Sequence, residues 1–292
     1  MDTLLHVIEK DYDSFSKGQK RIADYLIHAY DDAAFMTAAK LGETVGVSES
    51  TVVRFAYVIG LDGYPELQEK LQELVRHKLT SVQRIRLASG IPQADVLKTV
   101  LTSDMNNIRA TIEMIDNDSF HNAIDAILNA RRIYVLGIRS AMAMAQFLTY
   151  YLDYVCDNVI FVNGSGQDIY ERMLRISPED VCFGISFPRY SSRTVEAMRY
   201  ARSRGAKVIA LTDQPEAPLA KHADFTLCAR SDMASFADSL VAPLSLINAI
   251  IVAAGMARQE EACRHLSDLE KIWNEEGVYT SDSAESDKEG DR

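Results

Sequence analysis

Ser186, Ser191, Ser192 and Thr194 place four hydroxyls within nine residues, with Arg189 and Arg193 among them. An ordinary helix cap needs one hydroxyl. Four of them beside two arginines, with no Lys or Asp in the turn, suit hydrogen bonding to a phosphate or polyol rather than proton transfer. A second set, Gly137-Ile138-Arg139-Ser140, and a third, Asn163-Gly164-Ser165-Gly166, repeat the theme of small and hydroxyl residues. Far from these, Ser48, Ser50, Thr51, Arg54 and Tyr57 cluster within ten residues, with Lys40 a little upstream. Hydroxyls followed by an arginine at the start of a helix suit phosphate and base-edge contacts in a major groove.

The elements that must hold these residues follow from apolar periodicity. Val181 to Asp213 reads as an apolar run, the hydroxyl turn, an amphipathic segment ended by Gly205 and a second apolar run, which is one strand-helix-strand unit. Its crossover helix makes the two strands parallel. The turn therefore lies at a strand's carboxyl end, where unpaired helix amides and the helix dipole favour an anion.

From Arg132 onward five such strands are expected, over 132–137, 158–162, 181–186, 207–212 and 224–229. Helices of roughly ten to fifteen residues should fit between the first four, with a shorter turn before the fifth. The predicted fold is an α/β doubly wound, five-stranded parallel sheet of flavodoxin-like type, with ligands at the carboxyl ends of its strands.

Residues 1–80 show helical periodicity and no convincing strand. Ile22, Leu26 and Tyr30 repeat at helical spacing. A short helix with Ala38, Ala39, Leu41 and Val45 stops at Gly46, and Ser48 can cap another. Val47 and Val52 stand as N′ and N4 of a hydrophobic staple. Val52, Phe55 and Ile59 would pack inward and leave Ser50, Thr51, Arg54 and Tyr57 outward, which is an all-α helix-turn-helix reading.

The expected division is 1–80 for the helical domain, 81–106 for a linker and connecting helix, 107–260 for the sheet domain, and 275–292 for an acidic tail. A break at Ser89-Gly90-Ile91-Pro92 marks the boundary. Helical periodicity then resumes with Val96, Val100, Leu101, Ile108, Ile112 and Ile115.

The net charge of −11 argues against an all-over nucleic-acid coat. Residues 275–292 carry seven acids and two bases, a composition that predicts disorder. Residues 1–86 carry eleven bases and thirteen acids, so non-specific DNA affinity should be modest and specific binding should rely on a dimer presenting two helices to two half-sites. Lys70 to Arg86 could add phosphate contacts.

Cys156, Cys182, Cys228 and Cys263 are widely spaced, which fits buried thiols in a reducing cytoplasm, and no pair has metal-ligand spacing. No cofactor is expected. No secretory signal opens the chain. The apolar run Leu240 to Ala257 contains Pro243, Ser245 and Asn248, which suits a buried helix or a subunit interface rather than a membrane span.

Both halves resemble the RpiR/MurR family of bacterial transcription regulators, which join a helix-turn-helix to a sugar isomerase (SIS) domain. The similarity spans residues 1–257. GVSESTVVRFAYVIGLDGY is similar to the family's helix-turn-helix pattern at Val47, Ser48, Thr51, Val52, Arg54, Phe55, Ile59-Gly60 and Gly63-Tyr64. LGIRSA looks like the first SIS loop, with its serine at Ser140. ISFPRYSSRTVEA looks like the second, with Ser186, Ser191 and Thr194 on its signature, extra Phe-Pro-Arg residues, and Ser192 in place of a glycine.

The resemblance implies a cytoplasmic regulator of sugar or amino-sugar genes, homodimeric or a dimer of dimers. Its partners would be operator DNA and a phosphorylated sugar effector. Arg139, Ser140, Ser186, Ser191, Ser192 and Thr194 would hold the sugar phosphate, and no residue is assigned a catalytic role. A sugar-phosphate isomerase or lyase on the same fold is the alternative, as is an interaction protein that has lost DNA binding. Isomerisation needs a base. Asp224 through Arg258 contains no Glu or His, which leaves His222 and Glu196 as candidates.

Overall fold

The computed structural model describes residues 4–75, 82, 84–85, 91–164, 168–233 and 237–280. The chain divides into two compact units between Leu97 and Lys98.

In the first unit five helices form, α1 (Leu4–Lys10), α2 (Lys17–Ala33), α3 (Ala38–Val45), α4 (Glu49–Val58) and α5 (Tyr64–Val75). A reciprocal capping box at Ser16 and Gln19 starts α2. Ile22, Ala23 and Leu26 on its inner face are fully buried. Thr37 caps α3, which ends at Gly46 in the left-handed region at φ 69°. Ser48 caps α4.

Two contacts keep the α3–α4 turn tight. The Val47 N–H donates to the Gly42 carbonyl at 2.8 Å. A Cβ added at Gly42 would stand 2.8 Å from the Val47 carbonyl oxygen, so no larger residue fits there. Phe55 stacks edge-on against Phe15 at 5.2 Å in a core shared with Leu41, Val52, Leu67 and Leu71. Ile59 is buried as expected, although it lies just past the end of α4.

The second unit begins in α6 (Val96–Met114), followed by α7 (Asn117–Leu128) and then the sheet. Its strands are β1 (Ile133–Gly137), β2 (Val159–Val162), β3 (Val181–Ile185), β4 (Lys207–Thr212) and β5 (Phe225–Cys228). All pairings are parallel and the order is β2-β1-β3-β4-β5. The helices between and after them are α8 (Ala141–Leu152), α9 (Ile169–Arg172), α10 (Ser192–Ser203), α11 (Val241–Ala257) and α12 (Gln259–Glu275).

Alternate strand residues feed two cores, as the pleat requires. Val135, Phe183, Ile185, Ile209 and Leu211 pack on one side with α7, α8 and α11. Tyr134, Leu136, Cys182, Val208 and Ala210 pack on the other with α9 and α10. The five-stranded parallel reading holds.

Three expectations change in detail. The β2–β3 connection carries only the four-residue α9, not a helix of ten or more. Ile169, Met173 and Ile176 have helical spacing and are buried, but the chain leaves the helix after Arg172 in turns ahead of Pro178. α6 is one unbroken helix through the boundary expected at 106/107. Glu275 belongs to α12, so the acidic tail starts inside a helix. Its residues 281–292 lie outside the described residues, as do Ser89-Gly90, Arg76, Lys78 and Arg86.

A charged clamp joins the sheet's amino-terminal edge. Asp180, 1 % exposed, accepts from Arg131 Nε at 3.0 Å and Nη2 at 2.8 Å and from the Ser177 N–H at 2.8 Å. Burial alone would raise this carboxyl, but the hydrogen bonds from Arg131 and Ser177 outweigh it and hold it below the ordinary 3.8. Its folded value being depressed, the stability it contributes is full above pH 3.8 and is lost as pH falls through the folded value. Urea titrations from pH 5 downward should show an acid-side loss of stability that Asp180→Asn makes shallower. An unchanged acid slope in the variant would remove Asp180 from that role.

Candidate functional site

The strand order places β1 and β3 side by side while their connections leave in opposite directions, since β2 lies beyond β1 and β4 beyond β3. This is the topological switch point, where the carboxyl edge of an open sheet forms a crevice. The two turns that leave it are Gly137–Ser140, entering α8, and Ser186–Ser191, entering α10. Both sequence-predicted loops therefore flank one crevice.

In the β3 turn the hydroxyls are ordered from within. Ser186, buried, accepts the Ser191 N–H on Oγ at 3.0 Å. Ser191 caps α10 by accepting the Thr194 N–H at 3.4 Å. Each hydroxyl retains its own proton to donate. Thr194 is fully buried, and its Oγ1 has no hydrogen-bond partner among the described residues. A buried hydroxyl left unpaired in an otherwise satisfied turn is what a ligand-binding loop requires. Ser192 and Arg193 are exposed and line a 140 Å³ pocket with Asp168, Ile169, Tyr170 and Glu196.

The β1 turn is the more open. Ser140 directly precedes α8, yet its side chain makes no capping hydrogen bond. Arg139 and Arg189, one in each turn, take positive φ values of 61° and 66°. Non-glycine residues in this region carry about 1–3 kcal/mol of strain each and gather at binding sites. Of the third loop, Asn163 and Gly164 follow β2, while Ser165 and Gly166 lie outside the described residues.

The Phe-Pro-Arg-Tyr insert has a clear anchorage that sequence reasoning missed. Phe187 enters one core while Tyr190 packs against the other. The Tyr190 hydroxyl donates to Asp213 Oδ1 at 2.7 Å, and Thr212 Oγ1 donates to the same oxygen at 3.2 Å. Burial, with Asp213 beside it, raises the Tyr190 hydroxyl well above its ordinary value. Tyr190→Phe leaves Asp213 one donor short, which should cost about 1.5–3 kcal/mol. A lower denaturation midpoint and faster tryptic cleavage after Arg189 are expected; a variant as stable and as resistant as the parent would show that the pair does not hold the loop.

Neither candidate base is set for proton transfer. Glu196 is paired with Arg199, and the His222 carbonyl accepts from Arg202 at 3.1 Å within a 3-10 turn. No group of metal-ligating side chains occurs among the described residues. The Cys182 and Cys228 thiols are pushed up to about 12, by burial first, which makes them inert.

On α4 the outward set is as expected, with additions. Ser48 Oγ accepts the Thr51 N–H at 3.3 Å and lies 2.9 Å and 2.8 Å from the hydroxyls of Ser50 and Thr51. Arg54 and Tyr57 are exposed. The Tyr57 hydroxyl leans over the Gly63 turn, 3.3 Å from where a Cβ there would stand. Lys40 is exposed on α3 but paired with Glu43 at 2.8 Å, which holds that carboxyl below its usual range. Arg21 of α2, not foreseen, donates to the Gly46 carbonyl and fixes the turn.

The helix-turn-helix model of the rpiR family matches residues 2–78, and the SIS domain model matches residues 126–253. The chain belongs to the rpiR family. Among relatives of this rpiR-type regulator, an uncharacterized HTH-type transcriptional regulator of Caldanaerobacter subterraneus is 25% identical over 283 residues, 93% of this chain and 97% of that one. The regulator HexR of Pseudomonas aeruginosa is 25% identical over 235 residues, 78% of each chain.

Among solved structures, the sugar isomerase domain of an RpiR transcription factor from Sphaerobacter thermophilus superposes with a TM-score of 0.59 at 25% identity. It covers 61% of this chain and 99% of that one. The Vibrio vulnificus NanR protein, complexed with ManNAc-6P, shares the fold with a TM-score of 0.57 at 20% identity, over 95% and 100% of the two chains. The rpiR helix-turn-helix and the SIS sheet make the protein a DNA-binding transcriptional regulator.

Proposed function

We propose that this regulator controls genes of sugar or amino-sugar metabolism, and that a phosphorylated sugar held by its SIS domain sets its occupancy of operator DNA. The observation that carries the reading is the pair of hydroxyl-bearing turns at the switch point, with Thr194 Oγ1 buried and unpartnered between Ser191 and the β3 edge. Arg139, Ser140, Ser186, Ser191, Ser192 and Thr194 contact the sugar phosphate, and the amino ends of α8 and α10 add their dipoles. Binding of ManNAc-6P to the Vibrio protein of the same fold supports a phosphosugar as the ligand class.

Two copies present α4 to two half-sites, with Ser48, Ser50, Thr51, Arg54, Tyr57 and Lys40 at the DNA. The ligand acts by binding one dimer arrangement more tightly than another. Its action is cytoplasmic, where the operator is. No single described helix is long and apolar enough to cross a membrane.

A titration of labelled DNA from upstream of the protein's own gene, with and without a panel of hexose and amino-sugar phosphates, tests the reading. Selective binding that one phosphate shifts is the expected result. Selective binding that none of them shifts would refute the effector, and turnover of one of them would favour an isomerase.

A further inference from the structure

The helix α6 packs by its polar side and shows its apolar side. Its two fully buried side chains are Asn107 and Thr111. The Asn107 amide donates to the Asp232 carbonyl at 2.9 Å and accepts the Asp232 N–H at 3.2 Å. Thr111 Oγ1 accepts the Arg230 N–H at 2.9 Å, and Asp104 accepts from Ser239 at 2.6 Å. These bonds fix the rotation of the helix about its own axis. Leu97, Leu101, Met105 and Ile112 are thereby left 74, 57, 58 and 67 % exposed. With half-buried Ile108 they form one stripe, about 22 Å long at 1.5 Å per residue. A helix this apolar on an outward face marks an interaction site.

We propose that the stripe is the seam of a homodimer, in which α6 of one chain lies antiparallel to α6 of a second copy about a two-fold axis near Met105. The spacing is self-complementary in this orientation. Leu97 meets Ile112 of the other copy, and Leu101 meets Ile108. The charges agree as well. Lys98 and Glu113 are exposed on the same flank of the stripe, near opposite ends, so the antiparallel arrangement brings each to its opposite on the partner twice over. A parallel arrangement would set like charges together. The seam is where the dimer of the preceding section would form.

The bonds from α6 run to the segment that leaves β5 at the carboxyl edge of the sheet, the edge that carries the phosphate loops. A ligand that moves this edge moves the seam.

Sedimentation equilibrium of the full chain is the test. The parent should be dimeric at micromolar concentration, and the double variant Leu101→Asp, Met105→Asp should be monomeric with unchanged helical circular dichroism. Lys98→Glu or Glu113→Lys alone should weaken the dimer a few-fold, and the two together should restore it. Met105→Cys in a Cys263→Ser background should cross-link between copies on oxidation. A monomeric parent, a dimer indifferent to the aspartates, or a dimer in which Met105→Cys does not cross-link would overturn the proposal. None of these readouts involves DNA or sugar, so a failed seam leaves the regulatory reading to its own test.

Discussion

Replacing Arg54 by alanine is expected to lower operator affinity by about a hundredfold or more while leaving sugar-phosphate binding unchanged. A bidentate arginine–guanine contact gives about 1–3 kcal/mol of discrimination, and a symmetric dimer makes it twice. Arg54 is exposed on α4, one turn beyond the hydroxyl cluster of Ser48, Ser50 and Thr51. Its loss therefore removes a contact without disturbing the buried face of Val52 and Phe55.

Lys40 provides the contrast. Already paired with Glu43, it has a phosphate-type role at most, so Lys40→Ala should weaken all sequences alike and reduce the salt dependence. Fluorescence anisotropy on operator and scrambled duplexes at two salt concentrations separates the two effects. Equal operator affinity in Arg54→Ala would remove α4 as the reading helix.

The second large effect concerns the two serines at the switch point. Ser140→Ala and Ser191→Ala should each weaken sugar-phosphate binding by about 10- to 100-fold, since a hydrogen bond to a charged group is worth about 1.5–3 kcal/mol. The structure separates their other consequences. Ser191 caps α10, so its removal should also cost about 1 kcal/mol of stability. Ser140 makes no capping bond, so its removal should leave the denaturation midpoint in place. Calorimetric titration with the phosphate selected by the panel, beside a melting curve, reads both quantities. Unchanged affinity in both variants would refute the phosphate-loop assignment.

Local signals in the sequence were enough for most of the fold. The β3–α10–β4 unit shows in its apolar runs, Ser191 and Gly205, and the α3–α4 turn shows in Gly46 and Ser48, because caps and pleats act between near neighbours. The hydroxyls of the candidate site were legible for the same reason.

What escaped was decided by distant partners. Nothing local ties Tyr190 to Asp213, 23 residues away, or Arg21 to Gly46, 25 away. Periodicity identified α6 as a helix but not which side packs, because the bonds that settle this join Asn107 and Thr111 to residues more than a hundred positions later. The α9 segment misled in the opposite sense. Ile169, Met173 and Ile176 are buried at helical spacing by turns that are not a helix.

The polar anchorage of α6 also sets an order of events during synthesis. Asn107 and Asp232 are 125 residues apart in the chain, and Asp104 and Ser239 are 135 apart. At about 5–20 residues per second, α6 leaves the ribosome roughly 6–25 s before its docking segment exists. Until then it has neither a partner for Asn107 and Thr111 nor cover for its leucines. Docking must wait for β5, so α6 settles late and joins two chains only when each has completed its sheet. An unfinished chain cannot hold the seam at the correct rotation, and the dimer is thereby reserved for finished molecules.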